Sequence, residues 1–354
     1  MIFSPIKIGS LEVSNRIVVA PMCQYSAING IMTDWHTQHL MQLGYSAAGL
    51  IMVEATAVEE IGRITHNCVG IYNEKCIQSL KKNLQLAKSV APNKSYFGIQ
   101  LAHAGRKAST QRPWEGRSSL TKEENPWKTI CPSPVPFQKT WHVPQEMKIS
   151  DMERVKKQFI SASLKAVEIG FDLIEIHATH GYLLHQFLSP LSNKRKDKYG
   201  GNLENRMRFP LEILDSIKSE ITKEFPLGVR ITGTEWENNG IDENEAAIFA
   251  KELEKIGCHY VCVSSGGNTP NPKIPIGPHY QVHLAKKIKK DTKMVVRTVG
   301  MIKDPIKANN IIINQEADMI AMARAFLSNP RWVWDAAKVL GYDIEVPSQY
   351  ARRI

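Results

Sequence analysis

The sequence predicts an α/β fold, a closed (β/α)₈ TIM barrel, and three observations predict it. Eight short apolar runs recur along the 354 residues, and helical patterns stand between most of them. The runs are rich in Val and Ile and mostly lack polar alternation, which is how strands covered on both faces read. The first run is followed by Pro21-Met22-Cys23-Gln24-Tyr25. A doubly wound dinucleotide-binding sheet would carry a G-x-G-x-x-G turn there.

The strands are expected at 16–20, 50–54, 96–100, 173–177, 228–231, 260–263, 294–297 and 319–322. Ahead of them, 6–8 and 11–13 flank Gly9-Ser10, a hairpin pattern suited to plugging the barrel's N-terminal mouth. Helical periodicity covers 78–89, 150–169, 203–225, 243–256, 281–289 and 306–314. Ser150-Asp151-Met152-Glu153 reads as a capping box, and Asp242 precedes Glu243 and Glu245 in the same manner. Residues 108–144, after the third strand, hold Trp114, Trp127 and Trp141 with little periodicity. They are expected to lie over the C-terminal face as a lid-like insertion. No linker, repeat or low-complexity tract divides the chain, so residues 1–354 are expected to form a single domain.

Composition narrows the function classes. Hydrophobic content of 43% and charged content of 23% are those of a folded globular protein. The net charge is +10, but the basic residues are scattered over helical faces, as at Lys286, Lys287, Lys289 and Lys290. A nucleic-acid binder would cluster them in stripes, so none is expected as a partner. A positive surface suits an anionic, phosphate-bearing ligand. The six cysteines, at 23, 68, 76, 131, 258 and 262, form no CxxC pair, so free thiols in a reducing cytoplasm are expected. The N-terminus lacks a signal-peptide core, and no apolar run is long enough to span a bilayer.

In such barrels the reactive residues stand just past the C-terminal ends of the strands. His177 and His180 end the fourth strand, where two imidazoles can donate to one oxygen and stabilise an enolate-like anion. Tyr182, two residues on, is a phenol suited to giving a proton. The rival reading of the histidines is a metal site, which needs a third ligand from a neighbouring strand. Ordinary packing is another alternative. Arg324 and the glycines after strands seven and eight stand where barrels build phosphate sites. Arg230 on strand five either stabilises an anionic cofactor or pairs with a barrel carboxylate. Cys23 is either a thiol tuning a redox group or a small core residue.

These residues lie within longer matching segments. They are Asn15-Arg16-Ile17 through Tyr25, Val53-Glu54-Ala55 with Gly62-Arg63-Ile64-Thr65, and Gln100-Leu101-Ala102-His103-Ala104-Gly105-Arg106-Lys107. The strongest runs from Ile174-Glu175-Ile176-His177 through His180-Gly181-Tyr182 to Glu204-Asn205-Arg206. With these segments the chain resembles the old yellow enzyme family, and most of all its bacterial NADPH dehydrogenase and xenobiotic reductase branch. The resemblance implies tightly bound FMN, reduced by NADPH or NADH and reoxidised in ping-pong fashion by an enone, nitro compound or quinone. It implies that Pro21, Met22, Cys23, Ala55 and Gln100 line the flavin, with Arg230 at the pyrimidine edge. Gly300 and Arg324 would hold the phosphate, and His177 and His180 the acceptor oxygen. Tyr182 would be the proton donor and Tyr25 a wall of the pocket. Residues 345–354 resemble the branch's tail, where Arg352 would reach a neighbouring subunit's site in a homodimer or homotetramer. Ala323 departs from the glycine common in that branch. No metal is implied.

Overall fold

A computed structural model of the chain describes residues 1–92 and 94–352. Eight parallel strands close into a barrel in chain order: β1 (Ile17–Val19), β2 (Leu50–Ala57), β3 (Tyr96–Ala102), β4 (Leu173–Ala178), β5 (Leu227–Thr232), β6 (Tyr260–Ser264), β7 (Val295–Thr298) and β8 (Met319–Met322). Strand β8 returns to pair with β1. Every residue of β2 and β4 is buried, which explains the continuous apolar runs.

The hairpin arms Ile6–Ile8 and Leu11–Val13 pair antiparallel, as expected. Ile8 and Val13 join Val18, Leu50, Met52, Leu173, Tyr260 and Met319 in one buried apolar cluster, so the hairpin closes the end of the barrel where the strands begin. Ser10 N–H donates to Glu224 O at 2.9 Å and ties the turn down.

The surrounding helices are α1 (Asp34–Gly44), α2 (Glu74–Ser89), α3 (Ile149–Glu168), α4 (Leu183–Leu188), α5 (Leu203–Glu220), α6 (Glu243–Ile256), α7 (Val282–Asp291), α8 (Pro305–Ile313), α9 (Arg324–Ser328) and α10 (Trp332–Leu340). Four of them, α1, α4, α9 and α10, were not predicted. Helices α4 and α9 are too short to show a period. In α10, Trp332, Val333, Trp334, Ala336 and Ala337 are all buried, which blurs the spacing. Helix α1 buries His36 and His39 beside Leu40 and Leu43, so half its inward stripe reads as polar.

Two boundaries are corrected. Helix α3 is capped at Lys148, whose N–H donates to the Asp151 carboxylate at 2.9 Å, and Ser150 lies inside the first turn. Helix α5 ends at Glu220, five residues early, because Pro226 and the turn Phe225 N–H to Thr222 O (2.9 Å) cannot continue it. Asp242 caps α6 as expected, accepting from Asn244 and Glu245 N–H at 2.9 Å each.

One irregularity matters for the site. Val53 pairs with Ile99 and Ala55 with Gln100, so Glu54 is skipped as a β-bulge. Among the described residues no helix is long and apolar enough to cross a membrane.

Candidate functional site

The loop leaving β4 is built to present two imidazoles and a phenol. The His177 and His180 rings stand 5.2 Å apart at 79°, and the Tyr182 ring stands 4.8 Å from His177 at 87°. The backbone permits this by turning left-handed at His180 (φ 57°) and Gly181 (φ 74°). Gly181 and Gly267, in the loop after β6, touch backbone to backbone. A Cβ on Gly181 would sit 2.3 Å from Gly267 O, and one on Gly267 would sit 2.8 Å from His180 Cα. Gly181 N–H donates to His185 Nδ1 at 2.8 Å. Lys107 Nζ donates to His180 O (2.8 Å) and Gly267 O (2.7 Å), stapling the same two loops together.

Burial, and then Arg230, push the pKa of both histidines well below the ordinary value, so both rings are neutral. Thr179 N–H donates to His177 Nδ1 at 3.4 Å, which leaves the proton on Nε2. His180 Nε2 lies 2.8 Å from Ser264 Oγ. The same hydroxyl donates to Gln281 Oε1 at 3.4 Å, so His180 Nε2–H donates to Ser264 Oγ. Burial, with Cys23 next, raises the Tyr182 pKa, so the phenol keeps its proton.

Beside this loop a cavity of about 560 Å³ opens where β5 to β8 end. His180, Arg230, Gly300 and Arg324 all line it, so four of the predicted residues meet around one space. Arg230 Nε is buried with no partner. Glu175, a carboxylate inside the barrel, pairs with Arg297 at 3.4 Å. Among the described residues no three His, Cys, Asp or Glu side chains converge as a metal would require. Arg324 is exposed and, among the described residues, makes no ion pair.

On the β1 and β2 side, burial and then Glu54 raise the Cys23 pKa well above its ordinary value, so the thiol is neutral. Tyr25, at φ 49°, feels Cys23 and Tyr182 electrostatically, and its ring meets Trp114 of the insertion edge-on at 5.9 Å. The bulge at Glu54 sets Ala55 beside Gln100, whose Nε2 donates to Glu175 Oε1 at 2.8 Å. Pro21 and Met22 are half-buried between Ala20, which lines the cavity, and Cys23. The insertion also reaches Lys107, whose ammonium sits 4.7 Å from the Phe137 ring.

Arg352 is exposed and outside the cavity lining. The tail before it is pinned by Tyr350, which stacks on Tyr45 at 5.9 Å and meets Trp334 at 5.6 Å. The last two residues of the predicted tail lie outside the described residues.

Sequence reasoning missed Ser264, Gln281, Lys303 and Arg297. The first three line the cavity from loops or strand ends whose partners only folding reveals. Arg297 had a signal: it is a lone cation inside the Val-rich run Met294-Val295-Val296-Arg297.

Residues 1–341 match the NADH:flavin oxidoreductase / NADH oxidase family. The chain is 38% identical to an NADPH dehydrogenase of Geobacillus sp., covering 99% of this chain and 98% of that one. It is 41% identical to an NADH:flavin oxidoreductase of Gibberella zeae, covering 98% and 88%. Among solved structures, morphinone reductase superposes with a TM-score of 0.78 at 23% identity, covering 98% of this chain and 91% of that one, which bears on the fold alone.

Proposed function

The chain belongs to the NADH:flavin oxidoreductase / NADH oxidase family, and from that premise we propose that it reduces the activated C=C bond of enones, and nitro or quinone acceptors, at the mouth of its barrel. It is an FMN-dependent oxidoreductase using NAD(P)H as donor. The observation that carries the reading is the convergence of His180, Arg230, Gly300 and Arg324 on one cavity.

The residues present fit FMN. The volume is within the range of small-molecule sites. Arg230 brings a buried donor that nothing in the protein satisfies. Arg324 brings a free guanidinium suited to bidentate contact with phosphate. Gly300, at φ 120°, lets the backbone approach where a Cβ would strike Gln281 Nε2 at 2.9 Å. Pro21, Met22, Cys23, Ala55 and Gln100 would complete the flavin's surroundings. When bound, FMN takes a hydride from NAD(P)H and passes it to the acceptor.

The chain's own groups do the rest. His177 Nε2–H and the neighbouring His180 bind the acceptor's carbonyl or nitro oxygen and stabilise the negative charge that grows there. Both rings are neutral, so neither must lose a proton to bind. Tyr182 holds its proton on Oη and delivers it to the α-carbon. Tyr25 with Trp114, and Lys107 with Phe137, are the contacts by which residues 108–144 act as a lid that excludes water.

Arg352 completes the site of a neighbouring subunit in a homodimer or homotetramer. Its own cavity does not include it, and Tyr350 anchors the tail so that it projects. Six free cysteines, five of them buried, support a cytoplasmic location.

The test is anaerobic. Purified protein should show a flavin spectrum that bleaches with NADPH or NADH and returns when an enone is added. A protein with no flavin band, or one that nicotinamides do not bleach, refutes the proposal.

A further inference from the structure

Inside the barrel, Arg297 has no route to water. It is 1% exposed, its guanidinium stacks 3.7 Å from the Tyr260 ring centroid, and its Nε and Nη2 have no acceptor. Its one charged partner is Glu175, whose side chain is 1% exposed, at 3.4 Å from Nη1 to Oε2. The other carboxylate oxygen, Oε1, accepts from Gln100 Nε2 at 2.8 Å. The three side chains therefore form a buried line across β7, β4 and β3. Strand register joins it to the cavity. Arg297 faces Cys262 across β7 and β6, and Cys262 faces the cavity-lining Arg230 across β6 and β5.

The chemistry of this line is directional. An ionised carboxylate only accepts hydrogen bonds, so it dictates that the amide end of Gln100 faces Glu175. Gln100 Oε1 is then the end of the carboxamide turned from Glu175. A buried carboxylate deprived of its cation is costly, so the hydrogen bond between Gln100 and Glu175 depends on Arg297.

We propose that Arg297 is a positioning residue for the cofactor site: by pairing with Glu175 it fixes which end of the Gln100 carboxamide is offered to the flavin. This rests on the reading that Gln100 touches the flavin. Around Glu175 stand Gln100, Arg297, Tyr260 and Cys262, and Cys262 lies near Arg230 as well as Arg297.

The test uses apo-protein titrated with FMN, followed by flavin fluorescence quenching, and the midpoint potential of the loaded protein. Arg297→Met should weaken FMN binding about tenfold and shift the potential from that of the wild type. A tenfold change in the preference for reduced over oxidised flavin would read as about 30 mV. The charge-neutral double variant Glu175→Gln with Arg297→Met should still bind FMN several-fold more weakly than wild type, because a carboxamide no longer dictates the orientation of Gln100. It also serves if the single variant fails to fold, since replacing both members of a buried pair is better tolerated than removing one. Wild-type affinity and a wild-type potential in whichever variant folds overturn the proposal, even if its thermal stability falls. Gln100→Ala separates the two levels. If it leaves FMN affinity unchanged, the flavin-site reading of Gln100 fails. If it weakens FMN binding while the Arg297 variants do not, only this inference fails.

Discussion

Substituting Glu54→Gln removes a carboxyl that burial has pushed from its ordinary value of 4.5 up to about 8. At the β-bulge this residue is buried, its Oε2 accepting from Gln24 N–H at 3.1 Å and its Oε1 lying 3.5 Å from His36 Nε2 of α1. His36 is neutral in this range, because burial and then His39 lower its pKa to about 4. The folded state thus binds more protons than the unfolded state between the two values for Glu54. Its stabilising contribution is fully present below the unfolded value and is lost as pH rises through the folded one. At about 1.36 kcal/mol for each pH unit of full difference, the loss between about pH 6.5 and about pH 8.5 integrates to roughly 2 kcal/mol. Glutamine keeps the shape and an acceptor oxygen for Gln24 but does not titrate. The assay is urea denaturation of the apo-protein at both pH values, comparing wild type with the variant. Lys107, lowered to about 7 by burial and then by Arg106, gains stability over its own window as pH rises. It is present in both proteins, so it cancels in the difference. The variant should gain about 2 kcal/mol on wild type across that interval. A difference that stays constant with pH refutes the account of Glu54 as a neutral buried acid.

Three further outcomes follow from the site. The double substitution His177→Ala with His180→Ala should weaken binding of a phenol, a mimic of the acceptor anion, by roughly 10²-fold or more while FMN stays bound; phenol titration of the flavin spectrum checks it, and wild-type affinity rejects the imidazole cradle. Gly300→Ala should lower FMN affinity by about 1–3 kcal/mol, because φ 120° is strained for any side chain and the new Cβ meets Gln281; an unchanged dissociation constant rejects Gly300 as a cofactor contact. The Cys23 thiol should resist alkylation near neutral pH, and above about pH 9, where Glu54 is ionised, it should react faster in Glu54→Gln, since the Glu54 charge helps to raise its pKa; equal rates in the two proteins at that pH count against the coupling.

Much of the molecule was legible in the chain. Two-sided burial makes barrel strands apolar throughout, so all eight announced themselves, and their C-terminal ends located His177, His180, Arg230, Gly300 and Arg324 before any geometry was known. The family resemblance rests on the same stretches, because the backbone turns that present these side chains need particular residues, as Gly181 does. The short helices α4 and α9 escaped because five or six residues cannot display a period. The cap of α3 was misplaced because Ser150 and Lys148 compete as starts, and the carboxylate of Asp151 settles on the Lys148 N–H.

What the sequence by itself determined is therefore the barrel and the list of groups at its mouth, both of which depend on local periodicity and on position along each strand. Partnership was decided only by the tertiary structure. Glu175 could have answered Arg230 or Arg297, and strand register with side-chain reach chose Arg297. Ser264 became the partner of His180, 84 residues away, and Lys107 the staple between two loops. Such pairings depend on distances across the closed barrel, and no spacing along a single chain encodes them.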